Sequence, residues 1–160
     1  MAEPKVYTAL GLMSGTSIDG IDAAILRTDG RDAIEPVAFM SQPYDDALRA
    51  DISACFGERE SNDFIRDVER RLTLAHANLC QKLLLLHPEV ELIGFHGQTI
   101  THDPDSKFTW QLGDAELLAQ EIQRSIVYDL RQNDLRNGGQ AAPLLPVYHG
   151  AIARQKQMDT

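Results

Sequence analysis

The chain has 160 residues, 43% of them hydrophobic, and a formal net charge of -9. That length builds one good core, and the hydrophobic share is that of an ordinary soluble domain. The acidic balance and the scatter of lysine and arginine argue against a nucleic-acid surface, and no apolar run reaches membrane-spanning length.

The N-terminal Met1-Ala2-Glu3-Pro4-Lys5 has no signal-peptide core, which predicts a cytoplasmic protein. Val6 to Met13 and Ile21 to Thr28 alternate like strands. Between them Ser14-Gly15-Thr16-Ser17-Ile18-Asp19-Gly20 reads as a tight hairpin turn. Gly15 and Gly20 permit backbone angles closed to other residues, and Thr16 and Ser17 place hydroxyls beside amides that can converge on an anion. A plain Asx or hydroxyl turn needs less than this, so phosphate contact is the preferred reading.

Asp29-Gly30-Arg31-Asp32 is a second turn, and Ala33 to Met40 returns as a third strand of an antiparallel meander. After Pro43 a helix is expected, with Ala47, Leu48, Ile52 and Cys55 or Phe56 on one face. Ser61 is expected to cap a longer helix whose apolar face is Phe64, Val68, Leu72, Ala75, Leu79, Leu83 and Leu86. Asp63 suits its positive end and Pro88 stops it. His76 and His87 read as surface or capping residues of that helix. Cys55 and Cys80 read as free core thiols in a reducing compartment, without the spacing of a zinc site.

Glu91 to Phe95 is a short predicted strand that runs into the polar segment His96-Gly97-Gln98-Thr99. Beyond a polar loop, Gly113 to Ile122 gives a short helix capped by Asp114, and Ser125 to Tyr128 a last strand. Strand, helix and strand in succession predict parallel crossovers after the meander. Trp110, Tyr44, Tyr128 and Tyr148 read as packing residues, Gly138-Gly139 as a joint, and Leu144 to Ala153 as the start of another helix with a frayed polar end.

Three polar segments carry chemical potential: the first turn with Asp19 and Asp22, the His96–Thr99 segment followed by His102 and Asp103, and Asp129 to Asp134 followed by Gly138-Gly139-Gln140. The carboxyl ends of parallel strands form a ligand crevice, which is a physical reason for them to meet. His96 and Gln98 suit sugar hydroxyls or an amide, and Arg131 offers a planar fork for carboxylate or phosphate. Structural alternatives stand beside these: His96 satisfying a buried carbonyl, and Arg131 pairing with Asp129 or Asp134. Those two aspartates suit water positioning, hydroxyl binding or an ion-pair network equally. The G-x-x-x-x-G-K-[ST] loop, the G-x-G-x-x-G fingerprint and the G-x-S-x-G elbow are all missing from the sequence, so phosphate recognition needs another fold.

Taken together, Gly11 to Asp22, Gly94 to Ile100, Gln111-Leu112-Gly113-Asp114, Asp129-Leu130-Arg131 with Asp134, and Gly138-Gly139-Gln140 before Ala142-Pro143-Leu144 resemble the anhydro-N-acetylmuramic acid kinase family. The resemblance runs across nearly the whole chain but matches less than half of a full family member. It implies the α/β, actin-like fold shared with sugar kinases and the Hsp70 ATPase, with residues 1–137 as most of a first domain and 138–160 as the start of a second. It implies conversion of 1,6-anhydro-N-acetylmuramate, water and ATP to N-acetylmuramate 6-phosphate and ADP in peptidoglycan recycling, by a cytoplasmic homodimer.

By the same resemblance, Gly15, Thr16, Ser17, Asp19 and Gly20 are the ATP phosphate loop, with Asp19 organising Mg2+ through water. His96, Gly97, Gln98, Asp129 and Arg131 shape the anhydrosugar side, Arg131 suiting the lactyl carboxylate. The family's catalytic aspartate lies in an Asp-Thr-Gly-Pro-Gly-Asn motif missing from these residues, so no catalytic base is assigned and the 160 residues alone are expected to be inactive. The competing readings are a non-catalytic nucleotide- or sugar-binding module of the same fold, and a Rossmann-like domain whose glycine loop precedes a helix. One local departure stands out: Gly139-Gln140-Ala141-Ala142-Pro143 replaces the family's Gly-Gln-Gly-Ala-Pro, which strains Ala141 by about 1 kcal/mol if its backbone is left-handed.

Overall fold

Strands β1 (Tyr7–Ser14), β2 (Gly20–Thr28) and β3 (Ile34–Pro43) form the expected antiparallel meander in the computed structural model, which describes residues 4–157. Alternation drives it: Leu10, Leu12, Ile21, Ala23 and Ile25 all face the core. The β2–β3 connection is tied by Asp29, whose carboxylate accepts from the amides of Arg31, Asp32 and Ala33.

Two helices then cover the sheet. Helix α1 (Asp46–Ala54) is capped by Asp45 and buries Leu48 and Ile52. Cys55 is buried after it, whereas Phe56 is exposed. Helix α2 (Asp63–Leu86) corrects the expected cap: Asn62, not Ser61, accepts from the Ile65 amide at 2.9 Å. Asn and Ser cap equally well, so spacing to the apolar stripe decides between neighbours. That stripe is Ile65, Val68, Leu72, His76, Leu79 and Leu83, while Phe64 and Leu86 are exposed. The buried face is therefore rotated from the expected one, and His76 lies wholly inside it rather than on the surface.

Strand β4 (Leu92–Asp103) is the largest departure from expectation, because His96-Gly97-Gln98-Thr99 continues the strand instead of ending it. It pairs in parallel with β1, Leu12 opposite Phe95 but Ser14 opposite Gln98. Strand β4 thus carries one extra residue, a bulge containing Gly97 at φ 70. Strand β5 (Phe108–Leu112), not anticipated, returns antiparallel along the second half of β4. Gly97 is required there, since a Cβ would collide with the Leu112 carbonyl.

Helix α3 (Ala115–Ile122) is capped by Asp114, as expected, and leads to β6 (Ser125–Val127), which pairs in parallel with the first half of β4. The sheet order is β3-β2-β1-β4-β5, with β6 also on β4. The protein is thus an α/β fold with a mixed sheet and packed helices. The chain closes with α4 (Gln132–Arg136) and α5 (Pro146–Gln155). Tyr44 is buried as expected and Tyr148 half-buried, whereas Tyr128 is 53% exposed and so is not a packing residue. Both cysteines are buried and free. Among the described residues no helix is long and apolar enough to cross a membrane.

Candidate functional site

Strands β1, β4 and β6 run parallel, so Gly15, the polar segment of β4 and the residues after Val127 all lie toward the carboxyl ends of neighbouring strands. That edge is where open α/β sheets take ligands. The topology therefore brings the three polar segments to one side.

The first turn is short and open. The Ile18 amide donates to the Gly15 carbonyl at 3.1 Å, and Ile18, at φ 53, buries its side chain beneath the turn. Thr16 and Ser17 are exposed, and among the described residues nothing accepts from their amides. Ser17 donates to Asp19 at 2.8 Å, and this hydrogen bond, joined by the amides of Asp19 and Gly20, holds the Asp19 carboxyl below its ordinary range. Gly20 sits against β3, where a Cβ would collide with the Gln42 carbonyl. Asp19, Gly20, Asp22, Ser41 and Pro43 line a shallow recess beside the turn. Two free amides and the Thr16 hydroxyl fit phosphate oxygens, while the Ser17 proton is held by Asp19; the neighbouring ionised carboxylate repels phosphate unless a cation lies between.

A buried network ties this turn to β4. Gln98 is fully enclosed, and its carbonyl oxygen accepts from the Ser14 hydroxyl. Ser14 therefore receives the Tyr44 hydroxyl proton, at 2.8 Å, and the Gln98 amide nitrogen donates to the Thr99 carbonyl at 3.1 Å. Burial pushes the Tyr44 phenol up to about 12, partly opposed by Ser14, so it stays a donor. Gln98 thus acts from beneath the site.

His96 and Arg131 meet directly. Arg131 Nε donates to His96 Nε2 at 2.9 Å, while His96 Nδ1 donates to the Gly97 carbonyl at 2.7 Å. Those partners fix a neutral ring protonated at Nδ1. Burial holds the ring below the ordinary imidazole value, and the Arg131 charge adds to the effect. Arg131 Nη1 donates to the Ala141 carbonyl. Neither Asp129 nor Asp134 pairs with it: among the described residues Arg131, although half-buried, has no carboxylate partner.

A small recess opens beside this pair, with Gly97, Gln111, Gly113 and Asp129 among its walls. A Cβ at Gly113 would collide with the Phe95 ring, so backbone forms part of the floor. On the other side, His96 and Arg131 form the polar end of an apolar groove with Met13, Leu130 and Leu144. Asp129 is exposed, at φ 57, and faces the first recess.

The structure thus joins His96, Gly97, Asp129 and Arg131 around one recess, with Gln98 behind it and the turn of Gly15, Thr16, Ser17, Asp19 and Gly20 beyond. Sequence reasoning assigned no site role to Tyr44 or Gln111 and left Asp134 open between water positioning, hydroxyl binding and an ion-pair network. Tyr44 carried no signal, whereas the Gln111 motif pointed to the site without a role. Asp134 accepts from the Ala141 amide at 2.7 Å, and Ala141 is left-handed at φ 55, so the anticipated strain is present.

Comparison with known proteins identifies the family. The family model described as anhydro-N-acetylmuramic acid kinase matches residues 7–160. The chain is 44% identical over 163 residues to the anhydro-N-acetylmuramic acid kinase of Rhizobium etli, covering 95% of this chain and 44% of that protein. Against the Agrobacterium fabrum protein of the same name it is 45% identical over 160 residues, 93% of this chain and 43% of the relative. For the Pelagibacter ubique protein of that name the identity is 39% over 163 residues, 97% of this chain and 44% of the relative. The chain therefore spans less than half the length of these relatives. With a family match over nearly all its residues, the chain belongs to the anhydro-N-acetylmuramic acid kinase family.

Proposed function

We propose that a full-length protein carrying these residues is an ATP-dependent, actin-like kinase that opens 1,6-anhydro-N-acetylmuramate with water and phosphorylates oxygen 6. The observation that carries the reading is Arg131: a half-buried guanidinium without a carboxylate partner among the described residues, set beside a neutral His96 on the sheet edge that also carries the phosphate-type turn. An arginine in that state suits the sugar's lactyl carboxylate, and Asp129 and the Gly97 backbone suit its hydroxyl and amide groups. The antiparallel meander continued by parallel strands supports an actin-like first domain over residues 1–137, with 138–160 leading into a second.

Mg-ATP, when bound, supplies the transferred phosphoryl group and the positive charge beside it. Thr16 and Ser17 would hold phosphate oxygens through their amides and the Thr16 hydroxyl, and Asp19, oriented by the Ser17 hydroxyl, would hold the cation through water. Gly15 would leave its backbone open to that approach, and Gly20 seats the turn against β3. In the reaction, water adds to the anomeric carbon, the anomeric bond to oxygen 6 breaks, and oxygen 6 takes the phosphoryl group. His96 stays neutral and orients Arg131. The base that activates water is not assigned to Asp129 or Asp134, since the resemblance places it in a motif these residues lack.

Incubation of the full-length protein, a cytoplasmic homodimer in this reading, with Mg-ATP and 1,6-anhydro-N-acetylmuramate is expected to release ADP and N-acetylmuramate 6-phosphate in equal amounts. Folded protein that ignores this sugar while phosphorylating another would reassign the substrate. Residues 1–160 alone are expected to give no turnover, because the opposing wall of the cleft is required to hold the reacting groups together.

A further inference from the structure

Ala141 is held by side chains at both ends of its peptide units. Its amide donates to the Asp134 carboxylate at 2.7 Å, and its carbonyl accepts from Arg131 Nη1. The residue is left-handed, at φ 55, and only 1% exposed. A backbone carrying a Cβ rests in that region at a modest cost, which local hydrogen bonds can offset. Asp134 supplies one, and the surrounding chain is shaped to the carboxylate. The Gly139 amide donates to the Asp134 carbonyl at 2.8 Å, and a Cβ on Gly139 would collide with the Asp134 side chain.

Arg131 has three parts to place. Its Nε is engaged by His96 and its Nη1 by Ala141, which leaves Nη2 without a partner among the described residues. Two fixed points determine the plane of a guanidinium, and hence where its remaining N–H groups aim. Removing the Ala141 point would leave the plane free to turn about the His96 bond.

We infer that Asp134 is a positioning residue for anhydrosugar recognition: it fixes the left-handed Ala141 carbonyl, which orients the Arg131 guanidinium toward the ligand. Asp134 touches no substrate and acts through Ala141 and Arg131. The inference rests on the reading of the His96–Arg131 recess as the sugar side. It extends that reading to a residue whose carboxylate is turned to the backbone.

The test uses the full-length protein and has two readouts. In steady-state kinetics, Asp134→Ala is expected to raise KM for 1,6-anhydro-N-acetylmuramate at least 10-fold and to leave KM for ATP within twofold. Asp134→Asn, whose amide oxygen still accepts from the Ala141 amide, retains most of the sugar affinity. The double variant Asp134→Ala/Ala141→Gly recovers at least threefold of the loss, because glycine adopts the left-handed backbone unaided. The second readout needs no substrate: 15N spectra of labelled arginine report whether the Arg131 guanidinium is held or turns. Asp134→Ala is expected to replace separate Nη1 and Nη2 signals of a fixed group by averaged ones, because the Nη1 bond to Ala141 is lost. A folded Asp134→Ala protein with unchanged Arg131 spectra, or with equal KM losses for sugar and ATP, overturns the inference, as does a glycine double variant without recovery. Wild-type protein that fails to turn over the anhydrosugar rejects the activity instead, while the spectra still judge Asp134.

Discussion

The turn after β1 and the cluster at the β4 bulge lie on the same edge of the sheet but are built in opposite ways. In the turn, the Thr16 and Ser17 amides have no acceptor among the described residues, both residues are exposed, and the exposed Asp19 carboxylate is bonded only within the turn, by the Ser17 hydroxyl. In the cluster, His96, Gln98 and Arg131 are each committed to protein partners before any ligand arrives. An outward-facing turn suits a strongly charged, hydrated group whose binding supplies its own ordering. A pre-bonded cluster suits a ligand recognised by shape and a few directed contacts, because orienting those donors in advance lowers the cost of binding. The contrast predicts that substitutions in the cluster disturb folding and sugar recognition together, whereas substitutions in the turn affect nucleotide alone.

Gly97→Ala tests the cluster most severely. The new methyl would collide with the Leu112 carbonyl and sit at φ 70. Overpacking and left-handed strain together are expected to destabilise the protein by about 3 kcal/mol. Urea unfolding measures this, and a loss below about 1 kcal/mol would mean the β4–β5 crossing is free to shift.

His76 lies beneath the cluster, its ring 5.1 Å from that of Phe95, a residue on the wall of the recess. Nδ1 meets the Leu72 carbonyl at 2.9 Å, and Nε2 has no partner among the described residues. Burial pushes the ring down to about 4 from an ordinary 6.5. The folded protein therefore stays neutral at His76 while the unfolded chain takes up a proton. Stability from this residue is complete above about pH 6.5 and declines as pH falls toward 4, by about 3 kcal/mol in total. Denaturation between those limits should show the decline, and His76→Leu should flatten it. An unchanged slope in a folded variant would place the acid sensitivity elsewhere.

Arg131→Met is expected to lower kcat/KM for the anhydrosugar about 100-fold, the size of a charged hydrogen bond, with KM for ATP unchanged. Equal effects on both substrates would dissolve the division between turn and cluster. Asp19→Asn provides the reciprocal measurement. Its expected effect is a Mg2+ requirement raised about 10-fold, with sugar KM held, because one ionised acceptor is lost beside the phosphates.

How much of this could be read from the sequence follows the same division. The meander and its turn were readable because alternation and glycine chemistry are local, and the Asp114 cap follows from helix-end amides. The β4–β5 hairpin was not. A run of histidine, glycine, glutamine and threonine looks like loop, and it continues as strand with Gln98 satisfied inside the sheet by Ser14, itself bonded by Tyr44, both distant in sequence. His76 was misplaced for a related reason: an imidazole can bond the carbonyl one turn back and enter a helix's apolar face. The Arg131 partners were equally hidden, since neighbouring Asp129 and Asp134 were the obvious choices by proximity. Chain distance gave no hint that His96 and the Ala141 carbonyl would take their place.

The smallest expected effect belongs to Ala141→Gly, and its sign depends on three opposing quantities. Relief of the left-handed backbone stabilises by about 1 kcal/mol. Greater freedom of the unfolded chain costs about 0.7 kcal/mol, within the usual range for this exchange. Ala141 is 1% exposed, so deleting its methyl loses about 0.8 kcal/mol of burial. The balance is a destabilisation of about 0.5 kcal/mol, even though the substitution removes a strained residue. Paired urea titrations of the full-length protein resolve it. A clear gain in stability would mean that the Asp134 and Arg131 bonds hold Ala141 against more strain than a left-handed alanine ordinarily carries. A loss beyond about 1.5 kcal/mol would mean that the methyl is a packing element of the joint, and that its fit, rather than the backbone angle, secures the cluster end of the site.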